Sequence, residues 1–452
     1  MSEIISINSD KIYEAIYSAC YDANIYLSSD VYEKLNNIYN LGIDEKSKLS
    51  QILKNVYIAN VDKRPLCQDT GQVVVFVEIG QNIHVVGDLL NDVINKAVED
   101  CYKENFFRKS IVLDAFFNRK NSKTNTPVII YTNIVKENHI KFDILIKGGG
   151  AENMSKTIML TPSATKNELF DFVKDVVVSS KTNACPPLFL GVGIGGTLDY
   201  ASVLSKKAFF KDSEDDFEKE LVQYINENSD TKVAGLKILS SSTHIACMPV
   251  CVTINCHSTR HSSVVIDGNS NIKKLTKYAN PFFISDELIE VPELNTCDVE
   301  KIRTLKKGDE IYLSGEIYTA RDMAHKKIFE MLENGEALPI EIKDKIIFYA
   351  GPCPKNNSEV IGPIGPTTSK RMDKFASKLY DMGLLATIGK GERSDDVLAS
   401  IKRNNSVYFS VTGGVASLLK NCIKSAEIVA FDEFGAEAIY RLVVDKLPLK
   451  VE

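Results

Sequence analysis

From residue 305 onward, short apolar runs alternate with amphipathic stretches, and this alternation limits the possible folds more than any other feature. Ile311–Ile317 reads as a strand before a helix over Ala320–Glu333. Ile346–Ala350 precedes a helix over Thr368–Met382, and Leu385–Ile388 precedes one over Asp395–Arg403. Strand–helix repeats at this spacing predict an α/β domain with parallel strands, because a parallel pair needs a long crossover. The first sixty residues read differently. Ser9-Asp10 can cap a helix carrying Ile12, Ile16 and Cys20, and Asp44–Ala59 has a similar apolar stripe. Strands are then expected at Val73–Ile79, Val128–Val135, Ile140–Ile146, Val233–Ile238, Val250–Ile254 and Val264–Ile266. Helical stretches near 87–103, 164–179 and 213–226 lie among them, so the first part reads as mixed α+β. At roughly 150 residues per domain, the length allows two to four domains. The composition shift between about Lys273 and Leu305 favours two: residues 1–280, a linker over 281–304, and 305–452.

Ten cysteines in 452 residues are too sparse for a disulfide scaffold. The N-terminus, Met1-Ser2-Glu3-Ile4, lacks the basic and apolar regions of a secretory signal and the arginines of a mitochondrial leader. The longest apolar runs, such as Val73–Val77, are strand-sized. The expectation is a cytoplasmic protein with no membrane partner, whose cysteines are ligands, nucleophiles or packing residues. A net charge of −6 without a basic block argues against a nucleic-acid partner.

Several segments can carry chemistry. Cys67 lies in Pro65-Leu66-Cys67-Gln68-Asp69-Thr70-Gly71, a loop between a helix and a strand, where it suits metal or covalent chemistry or plain burial. Cys185 lies in Asn183-Ala184-Cys185-Pro186-Pro187, just before Gly191-Val192-Gly193-Ile194-Gly195-Gly196. That glycine run matches G-x-G-x-x-G, so a dinucleotide site and an NAD-dependent oxidoreductase are one reading. Against it, two prolines interrupt the would-be strand upstream. Cys247, Cys251 and Cys256 are spaced C-x3-C and C-x4-C, which fits neither a zinc pair nor a ferredoxin run. If Val250–Asn255 is a strand, Cys251 and Cys256 face opposite ways, and small-residue packing explains Cys247 and Cys251. Lys147-Gly148-Gly149-Gly150 and Gly365-Pro366-Thr367-Thr368-Ser369 offer backbone N–H groups to an anion. Arg108, Arg321, Arg371 and Lys390 are the cations beside such motifs, suited to carboxylates.

Taken in order, these strings resemble one family. The Cys67 loop, Lys147–Gly150, Cys185-Pro186-Pro187 and Asn255-Cys256-His257-Ser258-Thr259-Arg260-His261 resemble the α region of class I, iron–sulfur-dependent fumarate hydratases. Tyr318-Thr319-Ala320-Arg321-Asp322-Met323-Ala324-His325, Gly365–Asp373 and Gly389-Lys390-Gly391 resemble its β region, and the L-tartrate dehydratases are similar by motif. The resemblance covers nearly the whole chain, with both regions fused. It implies a C-terminal domain of the swivelling β/β/α type, a homodimer, and one active site needing both regions. It also implies a [4Fe–4S] cluster held by Cys67, Cys185 and Cys256, with one iron open to substrate oxygen, and the other seven cysteines left as packing.

The implied activity is reversible hydration of fumarate to L-malate, a hydro-lyase reaction on a small dicarboxylate, with tartrate or mesaconate as substrates of the same class. Thr367 is the implied base, Asp69 and His244 handle the proton of the leaving water, and Gln68, Arg108, Gly149, Arg321, Arg371 and Lys390 bind substrate. A threonine hydroxyl is a weak acid and needs a neighbouring cation or helix N-terminus for that role; otherwise Thr367 serves as an N-cap or carboxylate donor. The chain departs from the family at Lys370, where glycine is usual, which bears on substrate choice rather than fold. An iron–sulfur sensor or scaffold is the non-enzymatic alternative.

Overall fold

The computed structural model describes residues 4–42, 46–284 and 291–452. They form two compact units, Met1–Phe282 and Phe283–Glu452. No helix among the described residues is long and apolar enough to cross a membrane.

The first unit holds two sheets. In the five-stranded sheet the spatial order is Ile272–Lys274, Arg260–Asp267, His139–Lys147, Gln72–Gly80 and Ile129–Val135. Val73, Val75 and Val77 face a core filled by Ile12, Ile16 and Cys20 of helix Ser9–Ile25 and by Ile94, Val98 and Cys101 of helix Leu90–Glu104. Val74 and Phe76 on the opposite face are buried too. The unbroken apolar run is thus the signature of a strand covered on both sides. Asn8 caps the first helix by accepting from the Asp10 N–H at 2.8 Å, so the cap lies just upstream of Ser9-Asp10. The start expected at Asp44 lies outside the described residues; that helix is described over Lys46–Asp62.

The four-stranded sheet is ordered Lys156–Leu160, Met248–Asn255, Leu188–Gly196 and Val233–Thr243. Here the structure corrects the dinucleotide reading. Gly191–Ile194 is not a turn but a strand hydrogen-bonded on both sides, and only Gly195 and Gly196, at the strand's end, lead into the next helix. A Cβ on Gly191 would sit 2.0 Å from the Ser205 carbonyl, and one on Gly193 2.0 Å from that of Ala201. The glycines let helix Leu198–Lys207 lie directly on the strand, so their N–H and C=O groups are committed to packing and sheet, not to a pyrophosphate. Glycine supplies no side-chain period, which is why this strand was illegible in the sequence.

In the second unit, Glu310–Thr319, Ile346–Phe348, Ala386–Gly389 and Val407–Ser410 pair successively in parallel. The last strand, Ile439–Val451, runs antiparallel to both Val407–Ser410 and Glu310–Thr319, which closes the ring of pairings. Helices Asp322–Glu333, Asp373–Asp381 and Asp395–Arg403 occupy the crossovers expected from the alternation. Two boundaries differ. The run expected over Ile346–Ala350 ends at Phe348, and Ala350–Pro352 leaves to pair with Ile364–Pro366. Thr368 stays extended, and a 3-10 turn over Ser369–Met372 precedes the helix. Of the linker expected over 281–304, residues 285–290 lie outside the described residues. Glu293–Asn295 is not linker, since it pairs with Tyr312–Ser314, and Val299–Arg303 is helical.

His325 is buried in this unit, stacked on Phe375 at 5.5 Å and edge-on to Tyr349 at 5.5 Å. Burial pushes its imidazole down from 6.5 to about 4. Between these values the unfolded chain binds a proton that the folded chain refuses, so stability falls as pH drops from about 6.5 towards 4. The full effect is about 3 kcal/mol. His325→Gln is expected to remove about that much of the acid-side loss, read as the difference in the pH dependence of urea unfolding. Parallel curves for the two proteins would contradict it.

Candidate functional site

In the first unit, strand register brings the cysteine loops together. Gln72 pairs with Lys147, and Ile146 with Arg260, so the loop Pro65–Gly71, the Gly148 turn and Arg260 share one end of the five-stranded sheet. Phe189 pairs with Asn255, which brings the Cys185 loop beside Cys256. Residues 256–259 then cross from one sheet to the other.

Buried polar groups pin the Cys67 loop. Leu66 N–H donates to the Asn24 carbonyl at 2.9 Å, Asn55 Nδ2 donates to the Leu66 carbonyl at 2.9 Å, and Asn125 Nδ2 donates to the Gly71 carbonyl at 3.0 Å. Cys67 and Gln68 are both buried, with Cys67 Sγ 3.5 Å from Gln68 Oε1. Burial pushes the Cys67 thiol up to about 12; the Arg260 guanidinium opposes this, while Cys256 and Asp69 add to it. On the facing segment, His257 N–H donates to the Cys185 carbonyl at 3.3 Å. Thr259 Oγ1 donates to the Cys256 carbonyl at 2.8 Å, and Cys256 Sγ lies 3.1 Å from Ser258 Oγ. Lys147 Nζ donates to Asn255 Oδ1 at 2.6 Å and so clamps the strand end before Cys256.

Asp69 is a fixed carboxylate. It accepts from Gly149 N–H at 2.8 Å and Gly71 N–H at 3.2 Å, and pairs with Arg108 at 3.4 Å. Burial pushes it up, but Arg108, Arg260 and the two N–H groups outweigh that and hold it below the usual carboxylate range. Arg260 sits in a quoted motif but received no role from the sequence. Buried beside Gly148, with Nη2 3.4 Å from where a Cβ there would stand, it acts on both Cys67 and Asp69. Its signal was position alone, four residues after Cys256.

The structure does not bring His244 to this cluster. His244 lies at the exposed turn between Val233–Thr243 and Met248–Asn255, where Cys247 N–H donates to its carbonyl at 2.8 Å. The two line a separate open concavity with Gly196, Tyr200 and Thr243. His244 shares no hydrogen bond or ion pair with Asp69 among the described residues. The cysteine assignment is also corrected in part. Cys20, Cys101, Cys251 and Cys353 are buried, but Cys247 and Cys422 are half-buried and Cys297 is exposed, so these three are not core packing. Cys251 lies against Ser205 Oγ at 3.3 Å, on the glycine-strand helix.

Among the described residues, no three His, Cys, Asp or Glu side chains are set to hold a single metal ion. A four-iron cube spreads its thiolates wider than one ion does. Cys67 and Cys256, close enough to feel each other's charge, with the Cys185 backbone joined to His257, fit such a group by donor chemistry.

The second unit gathers its own cluster. Thr367 N–H donates to the Tyr349 carbonyl at 2.7 Å, and Lys390 N–H to the Thr367 carbonyl at 3.3 Å. Arg371 Nη1 donates to Thr367 Oγ1 at 3.1 Å, and Arg371 Nε to Asp322 Oδ1 at 3.2 Å. Arg321 pairs with Glu437 at 3.2 Å and lies against Gly351, where a Cβ would come within 2.9 Å of its guanidinium. Lys370 is exposed, whereas its neighbour Ser369 is buried. The Thr367 hydroxyl and the Arg371 guanidinium therefore meet beside the backbone of Lys390, just after the strand Ala386–Gly389, at the C-terminal end of the parallel strands where ligands usually sit in such folds.

The family model described as fumarate hydratase (Fumerase) matches residues 13–265, and that of the fumarase C-terminus matches 273–452. The chain is 29% identical over 451 residues to "Fumarate hydratase class I, aerobic" of Escherichia coli (strain K12), covering 90% of this chain and 80% of that protein. It is 28% identical over 446 residues to "Fumarate hydratase 1, mitochondrial" of Leishmania major, covering 90% and 81%. It is 41% identical over 156 residues to "Putative L(+)-tartrate dehydratase subunit beta" of Methanocaldococcus jannaschii, covering 33% of this chain and 80% of that one. With the first model matched over more than half its length and the second over most of the remainder, the chain belongs to the class I fumarate hydratase and tartrate dehydratase family, its two regions joined in one polypeptide.

Proposed function

We propose that this protein is a fumarate hydratase, EC 4.2.1.2, interconverting fumarate and L-malate, and that it works as a cytoplasmic homodimer. The observation that carries the reading is the convergence of the Cys67, Cys185 and Cys256 segments beside a carboxylate, Asp69, held ionised by two arginines and two backbone N–H groups. Cys67, Cys185 and Cys256 would hold a [4Fe–4S] cluster. When bound, it supplies an iron without a protein ligand, a Lewis acid for the departing hydroxyl.

The remaining work falls to side chains. Thr367 acts as its alkoxide: having given its own proton to solvent, it takes the proton from the carbon next to the far carboxylate and returns to the neutral alcohol, and the Arg371 guanidinium 3.1 Å away stabilises the alkoxide before that transfer. By family resemblance Arg108, Arg321, Arg371 and Lys390 bind the two carboxylates, helped by the backbone near Gly149, and Gln68 contacts substrate. Asp69 and His244 carry the proton that leaves with hydroxide as water; for His244 the support is the family motif, not proximity to Asp69.

The test is anaerobic preparation followed by a fumarate hydration assay without nucleotide. A brown, active protein is expected, and a colourless one that binds NAD would sink the reading. L-tartrate dehydration is the second reading, supported by the 41% identity to the putative tartrate dehydratase subunit. A comparison of kcat/KM for fumarate, L-tartrate and mesaconate separates them.

A further inference from the structure

We propose that Tyr408 is a positioning residue that ties the segment of Thr367 to that of Lys390 and so sets the hydroxyl of Thr367 against substrate. The inference rests on the reading of Thr367 as the base.

Thr367–Ser369 and Gly389–Gly391 run side by side. Thr368 and Lys390 form a parallel bridge, Lys390 N–H donates to the Thr367 carbonyl at 3.3 Å, and Ser369 N–H donates to the Lys390 carbonyl at 2.8 Å. Such a pair, one bridge long, has little to hold it in register. The buried Tyr408 hydroxyl closes it from below, donating to the Gly391 carbonyl at 2.6 Å and hydrogen-bonded with Ser369 Oγ at 2.9 Å. It is thus shared between the two segments that carry the base and the lysine.

Tyr408 is itself held by a buried cation. The Arg393 guanidinium lies 5.1 Å from the Tyr408 ring centre and 5.3 Å from that of Tyr349. Arg393 Nε donates to Asp373 Oδ1 at 2.8 Å, and Nη1 to Thr387 Oγ1 at 3.1 Å. Tyr349 is the residue whose carbonyl receives Thr367 N–H, and Asp373 opens the helix after the Thr367 turn. The arginine therefore spaces the two tyrosines that touch the base segment from either side. No substrate-binding role is available to it, because its side chain is 0% exposed.

The two anchored residues respond differently to loss of the tie. Thr367 Oγ1 stands one atom beyond Cβ and moves with the backbone. The Lys390 ammonium ends a four-carbon stem that can follow a carboxylate through a small shift. Misplacement therefore falls on proton removal more than on binding.

The experiment is steady-state fumarate hydration by the full-length, cluster-loaded protein. Tyr408→Phe, which keeps the ring over Arg393, is expected to lower kcat by about tenfold or more while KM stays within about twofold. Ser400→Ala is the comparison. It removes a buried hydroxyl bonded to the Ser377 carbonyl at 3.2 Å in the same unit, far from either segment in hydrogen-bond terms, and kcat should be unchanged. If Tyr408→Phe does not fold, Ser369→Ala breaks the other end of the same bond and should show the same split. A kcat near wild type in Tyr408→Phe, or a fall matched by Ser400→Ala, overturns the inference. Thr367→Ala is assayed alongside: if it remains active, the base assignment itself has failed; if it is inactive while Tyr408→Phe is not, only the positioning role has.

Discussion

Cys256→Ala is expected to leave a protein without visible iron–sulfur absorbance and without hydratase activity, whereas Cys247→Ala keeps both. The two cysteines are nine positions apart in one crowded stretch, yet the chain delivers them to different places. Cys247 sits at the exposed turn with His244, and Cys256 follows the far end of the strand Met248–Asn255. Asn255 is clamped by Lys147, His257 is bonded to Cys185, and the charge of Cys256 is felt at Cys67. Removing one of three thiolates leaves a cluster two protein ligands, too few to hold it. Absorbance and fumarate hydration are measured on anaerobically reconstituted protein. Loss of both in Cys247→Ala with retention in Cys256→Ala would show that the wrong member of the trio has been assigned. Because absorbance is read independently of turnover, cluster loss and a damaged substrate site can be told apart.

Thr367→Ala should lower kcat by about 10²–10⁴, the usual worth of a positioned proton-transfer group, with KM and the visible spectrum close to wild type. The hydroxyl has the surroundings a weak acid needs. Arg371 donates to it at 3.1 Å, and its backbone is fixed at both N–H and C=O. Asp322 tempers the arginine's charge but also orients its fork, so the guanidinium points one N–H at the threonine. Thr367→Ser, which keeps the oxygen, is expected to retain much of the rate. If Thr367→Ala loses less than about tenfold, the hydroxyl is only a carboxylate donor, and proton removal belongs to another group.

The chemistry-bearing residues were legible because they come as short strings with punctuating prolines and glycines, and because the family resemblance orders them. Their support was not. Asn24, Asn55, Asn125 and Lys147 anchor the cysteine loops through bonds to residues up to 108 positions away, and no local pattern announces such partners. Arg260 and Arg393 are buried cations, which sequence statistics place on the surface unless a partner is known. The false dinucleotide motif shows the same gap from the other side. Glycines at that spacing suit a phosphate turn or a close-packed strand equally well, and only the carbonyls of Ala201 and Ser205, 2.0 Å from the missing Cβ positions, decide between them.

By itself the sequence determined the alternation of strands and helices after residue 305, the helical start, and which cysteines, arginines and threonine were candidates. Periodicity and turn chemistry are local properties, and side-chain type is given outright. Tertiary structure decided the rest. Strand register joined Gln72 to Lys147, Ile146 to Arg260 and Phe189 to Asn255, which is what makes one place of three cysteine loops. Register depends on what packs against both faces of a sheet, and a shift of one residue would reverse every side chain, so it is set by the whole fold rather than by any segment of it.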